Sequence, residues 1–400
     1  MKRKNVMRTV VCFAFFTLAI CGPGETLAGS AVGEPLKVGG IFDMTGPTSP
    51  IGVPFANGAA EYFSYVNKQG GINGQKIELI SIDYAYDIQK SASAYSRLTD
   101  KENILGLLGW GSVDMPLIMK KAVQINLPII AAASRGDAVV GKFNPCVFSI
   151  AGTYSQELIT GLSWLKMDSK KRGISRPKLG LLYSEPGRES VKAVARACEK
   201  LGIDLVSKEF VSERSIGAAS HIARVKRAGC EYIWTLMTLR PLNVIFKEAQ
   251  KIDYDPQFFG TFFCANEALF KMAAKHPHKL IIASPVAFIN QPNVPGIKKI
   301  REFTGKSDLL SQFIAGWVGS MVLAKGIEKG GVNSGMSVSE ARKAIIDGLE
   351  KLRNDNMDGL TAPMTFTKTD HIGTKGFRLY RADWKLGEFI EVQGDFRPVK

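Results

Sequence analysis

Residues 36–83 read LKVGGIFDMTGPTSPIGVPFANGAAEYFSYVNKQGGINGQKIELISID. The opening LKVGGIF (Leu36–Phe42) is β-rich and breaks at Asp43-Met44-Thr45-Gly46-Pro47. From Ala56 to Lys68 the apolar residues Ala59, Tyr62, Phe63 and Val66 recur at helical spacing. Gly70-Gly71-Ile72-Asn73-Gly74 stops that helix, and KIELISID (Lys76–Asp83) reads as a second strand. Strand, helix and strand in so short a span make one βαβ unit.

The same rhythm continues outward. A helix is expected over Ser91–Asp100, then an apolar strand over Ile104–Leu108, a turn at Gly109-Trp110-Gly111-Ser112, a helix, and a strand at Pro128–Ala131. A second series begins with PKLGLLY (Pro177–Tyr183) and the loop Ser184–Gly187. It runs through a helix over Ser190–Leu201, a strand over Ile203–Glu209, a helix over Ile222–Ala228 and a strand over Tyr232–Leu236. Alternation at this spacing predicts parallel sheets covered by helices on both faces. Two series predict an α/β chain of two Rossmann-like lobes. Beyond Ile281–Ala283 the alternation loosens. Ile314–Lys329 reads as a long helix with small residues on one side, and Ser339–Leu352 as another. Met364–Phe366, Phe377–Tyr380 and Phe389–Val392 read as short antiparallel strands. Open α/β sheets bind ligands where loops leave the carboxyl ends of the strands. The loops to watch are therefore 43–52, 109–115, 131–137, 184–190, 237–241 and 260–264, lining one cleft between the lobes.

The N-terminus reads as a secretory signal over residues 1–28. Lys2, Arg3, Lys4 and Arg8 precede the apolar run Thr9–Ile20, and small residues follow at Thr26-Leu27-Ala28. A lipid on Cys21 is the less favoured alternative, because Ile20 is bulky for a lipoprotein box. Export to the periplasm is expected. Residues 1–28 hold four of the 52 basic and one of the 37 acidic side chains, so the mature chain keeps a net charge of +12. Its basic residues are scattered, which argues against a nucleic-acid partner and for a solvated basic surface. Four cysteines remain after processing, Cys146, Cys198, Cys230 and Cys264, and their spacing cannot choose among three pairings. Without C-x-x-C and with only four histidines, no metal site is expected.

No catalytic pattern emerges. Gly109-Trp110-Gly111 lacks the third glycine of a dinucleotide fingerprint, and neither a nucleophile elbow nor a phosphate loop occurs. His221 and His371 have no nucleophile beside them in the pattern. The chain is read as a non-enzyme without a cofactor.

Several stretches together resemble the leucine/isoleucine/valine-binding proteins, receptors of ABC importers. They are Thr45-Gly46-Pro47, NKQGGINGQKIEL (Asn67–Leu79), the Gly109–Ser112 turn, PIIAAAS (Pro128–Ser134) and the terminal TAPMTF…GFRLYR. The resemblance runs from about residue 36 to the end. It implies two lobes joined by three crossovers and closing on a small-molecule ligand. The lobes would be residues 36–153 with 288–358, and 154–287 with 359–400. It also implies delivery to an ABC permease and its ATPase, by a protein expected to be a monomer. A ligand-presenting receptor for a sensor protein would use the same architecture.

Residue by residue, the resemblance places a carboxylate-binding serine at Ser112 and the following strand-loop at Ala132 and Ser134. Tyr154, Thr238 and Phe262 fall where the family often carries an acid, a tyrosine and an ammonium-binding acid. Trp110 could supply a flat apolar wall. Arg135 is a further clamp candidate, though a loop arginine is more often solvated, and Asp114 reads as an N-cap. With Phe262 in the acid's place, a ligand without an amino group is expected, a carboxylate or neutral compound such as an aromatic or aliphatic acid. The alternative is a branched-chain or other amino acid.

Overall fold

The computed structural model describes residues 34–396 apart from 113, 134, 141 and 265, and only the backbone of 186, 395 and 396. The signal segment, Cys21 and Ser134 lie outside the described residues. Thirteen strands run through the described chain: β1 (Leu36–Phe42), β2 (Ile77–Asp83), β3 (Leu107–Leu108), β4 (Ile129–Ala131), β5 (Val147–Ala151), β6 (Lys178–Tyr183) and β7 (Asp204–Phe210), then β8 (Tyr232–Leu236), β9 (Gln257–Gly260), β10 (Leu280–Ser284), β11 (Ile372–Thr374), β12 (Phe377–Asp383) and β13 (Glu388–Phe396).

They form two sheets. The first has the order β11-β5-β4-β3-β1-β2 and the second β13-β12-β10-β9-β8-β6-β7. The first is parallel throughout. The second is parallel from β7 to β10, with β12 and β13 added antiparallel. Each sheet begins with the same winding: first strand inside, second strand at the edge, the rest laid down on the other side of the first. In both, the direction of winding reverses beside the first strand, between β1 and β3 and between β6 and β8. Such switch points open a crevice at the strands' carboxyl ends.

The chain passes between the sheets after β5, after β10, and once more between β11 and β12. The last passage corrects the expected boundary near residue 358. β11 pairs in parallel with β5 in the first sheet, Ile372 against Ser149, so the chain does not leave that sheet until Thr374. Met364–Phe366 forms no strand, and Met364 makes only an isolated bridge to Asp355.

Small residues govern the closest helix contact. Helix Ser311–Lys329 is buried on nearly every face and lies against helix Ser49–Lys68. A Cβ on Gly58 would sit 1.9 Å from the Phe313 carbonyl oxygen, and one on Gly316 2.0 Å from that of Phe55. Only glycine permits that approach. Pro50 stands in the first turn of helix Ser49–Lys68, where its missing N–H costs nothing. Cys146, Cys198, Cys230 and Cys264 are buried free thiols. Burial pushes Cys146 up to about 11 and the other three up to about 12. Among the described residues no helix is long and apolar enough to cross a membrane, and no cluster of side chains could hold a metal ion.

Candidate functional site

A cavity lies where the two switch points face each other. From the first sheet it is lined by Thr48 and Ile51 after β1, Tyr86 after β2, and Trp110 and Ser112 after β3. Tyr154, Glu213, Met237, Thr238 and Phe263 line it from the chain that follows β5, β7, β8 and β9. The walls approach until about 20 Å³ remains, room for about one water molecule. A larger solute enters only when the walls part.

The first-sheet wall is braced from behind. The Asp43 carboxylate, fully buried, accepts the N–H of Gly46 (2.6 Å) and of Thr48 (2.8 Å) and the Thr48 hydroxyl (2.6 Å). With its proton so engaged, Thr48 accepts from Trp110 Nε1 at 3.0 Å. Phe55 packs edge-on against the Trp110 ring, centroids 5.2 Å apart. The indole is thereby fixed as a flat wall. Asp114 stands at the N-cap position of helix Met115–Gln124 but makes no capping bond. It accepts instead from Tyr84 Oη (3.1 Å) and Ser91 Oγ (2.8 Å), and burial raises its pKa. Gly111 must be glycine here, since a Cβ would lie 1.8 Å from Asp114 Oδ1.

Tyr154 joins the two walls. Its hydroxyl donates to the Ala133 carbonyl (2.7 Å), accepts the Arg135 N–H (2.9 Å) and lies 3.0 Å from Ser112 Oγ. Burial pushes the phenol up to about 12, so it stays protonated. With that single proton on Ala133, Ser112 is the donor in the pair. A serine hydroxyl rotates freely and can turn the same proton to an incoming carboxylate.

Arg135 neither faces the cavity nor meets solvent. It is fully buried, paired with Glu157 at 2.5 Å, and donates to the Gly152 carbonyl at 2.6 Å. A buried guanidinium persists only with such partners. Glu157, raised by burial and held down by Arg135, also accepts the N–H of Phe262 at 2.5 Å.

The Phe262 side chain turns into the core. Phe262 is buried and does not line the cavity; its neighbour Phe263 does, edge-on to Tyr154 with centroids 5.1 Å apart. The tight turn at Phe262–Cys264 directly after β9 reverses which residue points inward. Ala132 is also buried behind the wall, against Gly319. Of the other expected residues, Trp110, Ser112, Tyr154 and Thr238 come together at the cavity, and Ser134 lies outside the described residues.

Two lining residues were not anticipated, Tyr86 and Glu213. They hold corresponding places: each follows the second strand of its sheet, β2 or β7, at the sheet's edge. Glu213 is 8 % exposed and accepts the Ser184 hydroxyl, the Thr238 hydroxyl and the Thr238 N–H (3.1 Å). Burial raises its pKa and nearby Glu185 adds to the rise, against the pull of those donors. The signal in sequence was an acid in the loop after a strand's carboxyl end, the same rule that singled out the other loops.

A family model described as "Periplasmic binding protein" matches residues 35–388. The "Leu/Ile/Val-binding protein" of Escherichia coli (strain K12) is 20% identical over 359 residues, covering 88% of this chain and 92% of its own. Among solved structures, a branched chain amino acid ABC transporter protein from Thermus thermophilus with bound valine superposes with a TM-score of 0.83 at 17% identity, covering 92% of this chain and 97% of that one. A solute binding protein from R. palustris in complex with benzoate gives 0.75 at 16% identity, covering 91% and 97%. At such identities the solved structures speak for the fold alone.

Proposed function

The chain belongs to the periplasmic binding protein family, and from that premise we propose that it is the solute receptor of an ABC importer, closing its two sheets' loops over one small carboxylate-bearing molecule. The observation that carries this reading is the cavity itself, walled by loops from both switch points. A ligand held by both walls binds the closed form better than the open one, and that difference drives closure. Moving from about 1:99 to 99:1 closed needs roughly 5.5 kcal/mol of differential binding. The closed shape is what a permease would recognise.

In this reading Ser112 receives the carboxylate, with Tyr154 holding Ser112 in place. Ile51, Trp110, Met237 and Phe263 receive the apolar part. Relatives of this fold carry valine or benzoate, so a carboxylate with an apolar body is the chemistry they share. The expectation of a ligand without an amino group rested on Phe262 standing in an acid's place. Phe262 does not reach the cavity, and an acid from another loop, Glu213, does. The amino-acid reading thereby gains a specific residue.

The test is a thermal-shift panel on the ligand-stripped mature protein, setting branched amino acids beside aromatic and aliphatic acids, with small-angle scattering for closure. A ligand at about 100 times its Kd stabilises by roughly 2.7 kcal/mol. A shift with a fall in radius of gyration supports a closing receptor. A panel without a shift would sink the carboxylate reading.

A further inference from the structure

We propose that Glu213 selects the ligand by receiving an amino group, so that the solute is an amine or an amino acid rather than a bare carboxylate. This rests on the cavity being the ligand site. The acid comes from the loop after β7, not from the turn after β9 where the resemblance placed the ammonium partner.

Three observations carry it. First, of the described residues that line the cavity, Glu213 alone bears a formal charge. A carboxylate ligand without a cation would bring a second negative charge into the same small space, which is unfavourable where solvent is excluded.

Second, Glu213 is positioned. The hydroxyls of Ser184 and Thr238 and the Thr238 N–H point at its carboxylate, and its own N–H donates to Glu185 at 3.0 Å. An ionised carboxylate offers about four acceptor sites. Three are taken, which leaves about one for a donor in the cavity.

Third, Glu213 has no counter-ion. Among the described residues no lysine, arginine or histidine pairs with it, whereas buried Glu157 has Arg135. Buried Asp43 and Asp114 also lack a cation, but they brace the wall from behind and do not line the cavity. The groups around Glu213 are Glu185, Tyr86 and the Cys264 thiol, together with Ser184 and Thr238. None is a cation. A buried carboxylate in such surroundings is stabilised by any cation that binds against it.

The competing role is structural: Glu213 would only pin the loops carrying Ser184 and Thr238. The two roles separate by pH and by ligand. An amine is held by the ionised acid, so its affinity rises with pH through the raised pKa of Glu213. A bare acid is accepted only when Glu213 is protonated, so its affinity falls over the same range.

The experiment uses matched sets on one carbon skeleton, such as leucine, 4-methylpentanoate and 3-methylbutylamine, and phenylalanine, 3-phenylpropanoate and 2-phenylethylamine. Calorimetry is run at several pH values on the wild-type chain and on Glu213→Gln. Circular dichroism and the ligand-free melt confirm that the variant folds, and Glu213→Asp serves as a second variant. Supporting results are tighter binding of an amine-bearing member, affinity rising with pH, and a loss of about 10- to 100-fold in Glu213→Gln, the worth of a charge-assisted hydrogen bond. If only the amine-free acid binds, the proposal is overturned while the carboxylate reading stands. If only the bare amine binds and Glu213→Gln loses it, Glu213 is confirmed and the carboxylate reading falls. Binding by none of the set members overturns both.

Discussion

The hydroxyl of Tyr154 lies 3.0 Å from Ser112 Oγ while bonding the Ala133 carbonyl and the Arg135 N–H. One phenol thus ties the loop after β3 to the loop after β4 and sets the serine's orientation. Tyr154→Phe keeps the ring against Phe263 but strips the Ala133 carbonyl and the Arg135 N–H of their partner. Each orphaned buried group costs roughly 1–3 kcal/mol. Urea unfolding should show a loss of about 2–6 kcal/mol on that basis, and calorimetry a ligand affinity lower by about tenfold. Unchanged affinity with lowered stability would mean that Ser112 needs no orienting partner.

Arg135 and Glu157 make the buried ion pair behind this wall. Glu157→Leu leaves the guanidinium enclosed without a counter-charge, which costs about 3–5 kcal/mol. Pairing it with Arg135→Met should recover most of that loss, because hydrophobic replacement of both partners is often neutral. Denaturant unfolding of the two single variants and the double variant measures the cycle. A double variant as unstable as Glu157→Leu alone would show that the Phe262 N–H, not the arginine, is what Glu157 serves.

The fold was legible because its signals are local. Strand periodicity, the GGINGQ helix stop and the repeated series of units need only neighbours in sequence. Helix Ser311–Lys329 was legible from its small residues, although its burial on nearly all faces leaves no amphipathic stripe to read. The cavity was partly legible, since Trp110, Ser112, Tyr154 and Thr238 stand at strand ends. What failed there was parity and partnership. Whether Phe262 or Phe263 faces inward depends on a short turn that no periodicity announces. Arg135 reads as a loop arginine until Glu157, on the following helix, closes on it. Glu213 follows an edge strand, and nothing near it in sequence marks its approach to Ser184 and Thr238. The third passage between sheets was misplaced because β11 is three residues long and borrows its identity from β5.

Close helix packing gives a prediction independent of ligand. Gly316→Ala would drive a Cβ to 2.0 Å from the Phe55 carbonyl oxygen, and both atoms belong to rigid backbones. Overpacking of this kind costs roughly 1–3 kcal/mol or more. Gly217→Ala, where a Cβ meets nothing within 4 Å, is the control and should change stability by less than about 1 kcal/mol. Thermal melts of both variants decide the matter. Equal melting points would mean that the two helices can slide apart without loss.

The last prediction concerns pH. Glu267 Oε2 accepts the N–H of Ser311 at 3.0 Å, placing a carboxylate of the segment after β9 at the start of helix Ser311–Lys329. Beside it Asn266 Nδ2 donates to Gln312 Oε1 at 2.8 Å. The helix N-terminus favours a negative charge, yet burial outweighs it and raises Glu267 to about 7 from 4.5. An acid whose folded pKa is raised binds its proton more tightly in the folded state. Its contribution is therefore fully present below the unfolded value and is lost as pH rises from about 4.5 to about 7. The loss amounts to about 3 kcal/mol. Glu267→Gln mimics the protonated acid, so the variant should match the wild type near pH 4.5 and exceed it in stability above pH 7. Urea unfolding of both proteins across that window measures the difference. A wild type that gains on the variant as pH rises would show that the helix terminus, not burial, governs Glu267.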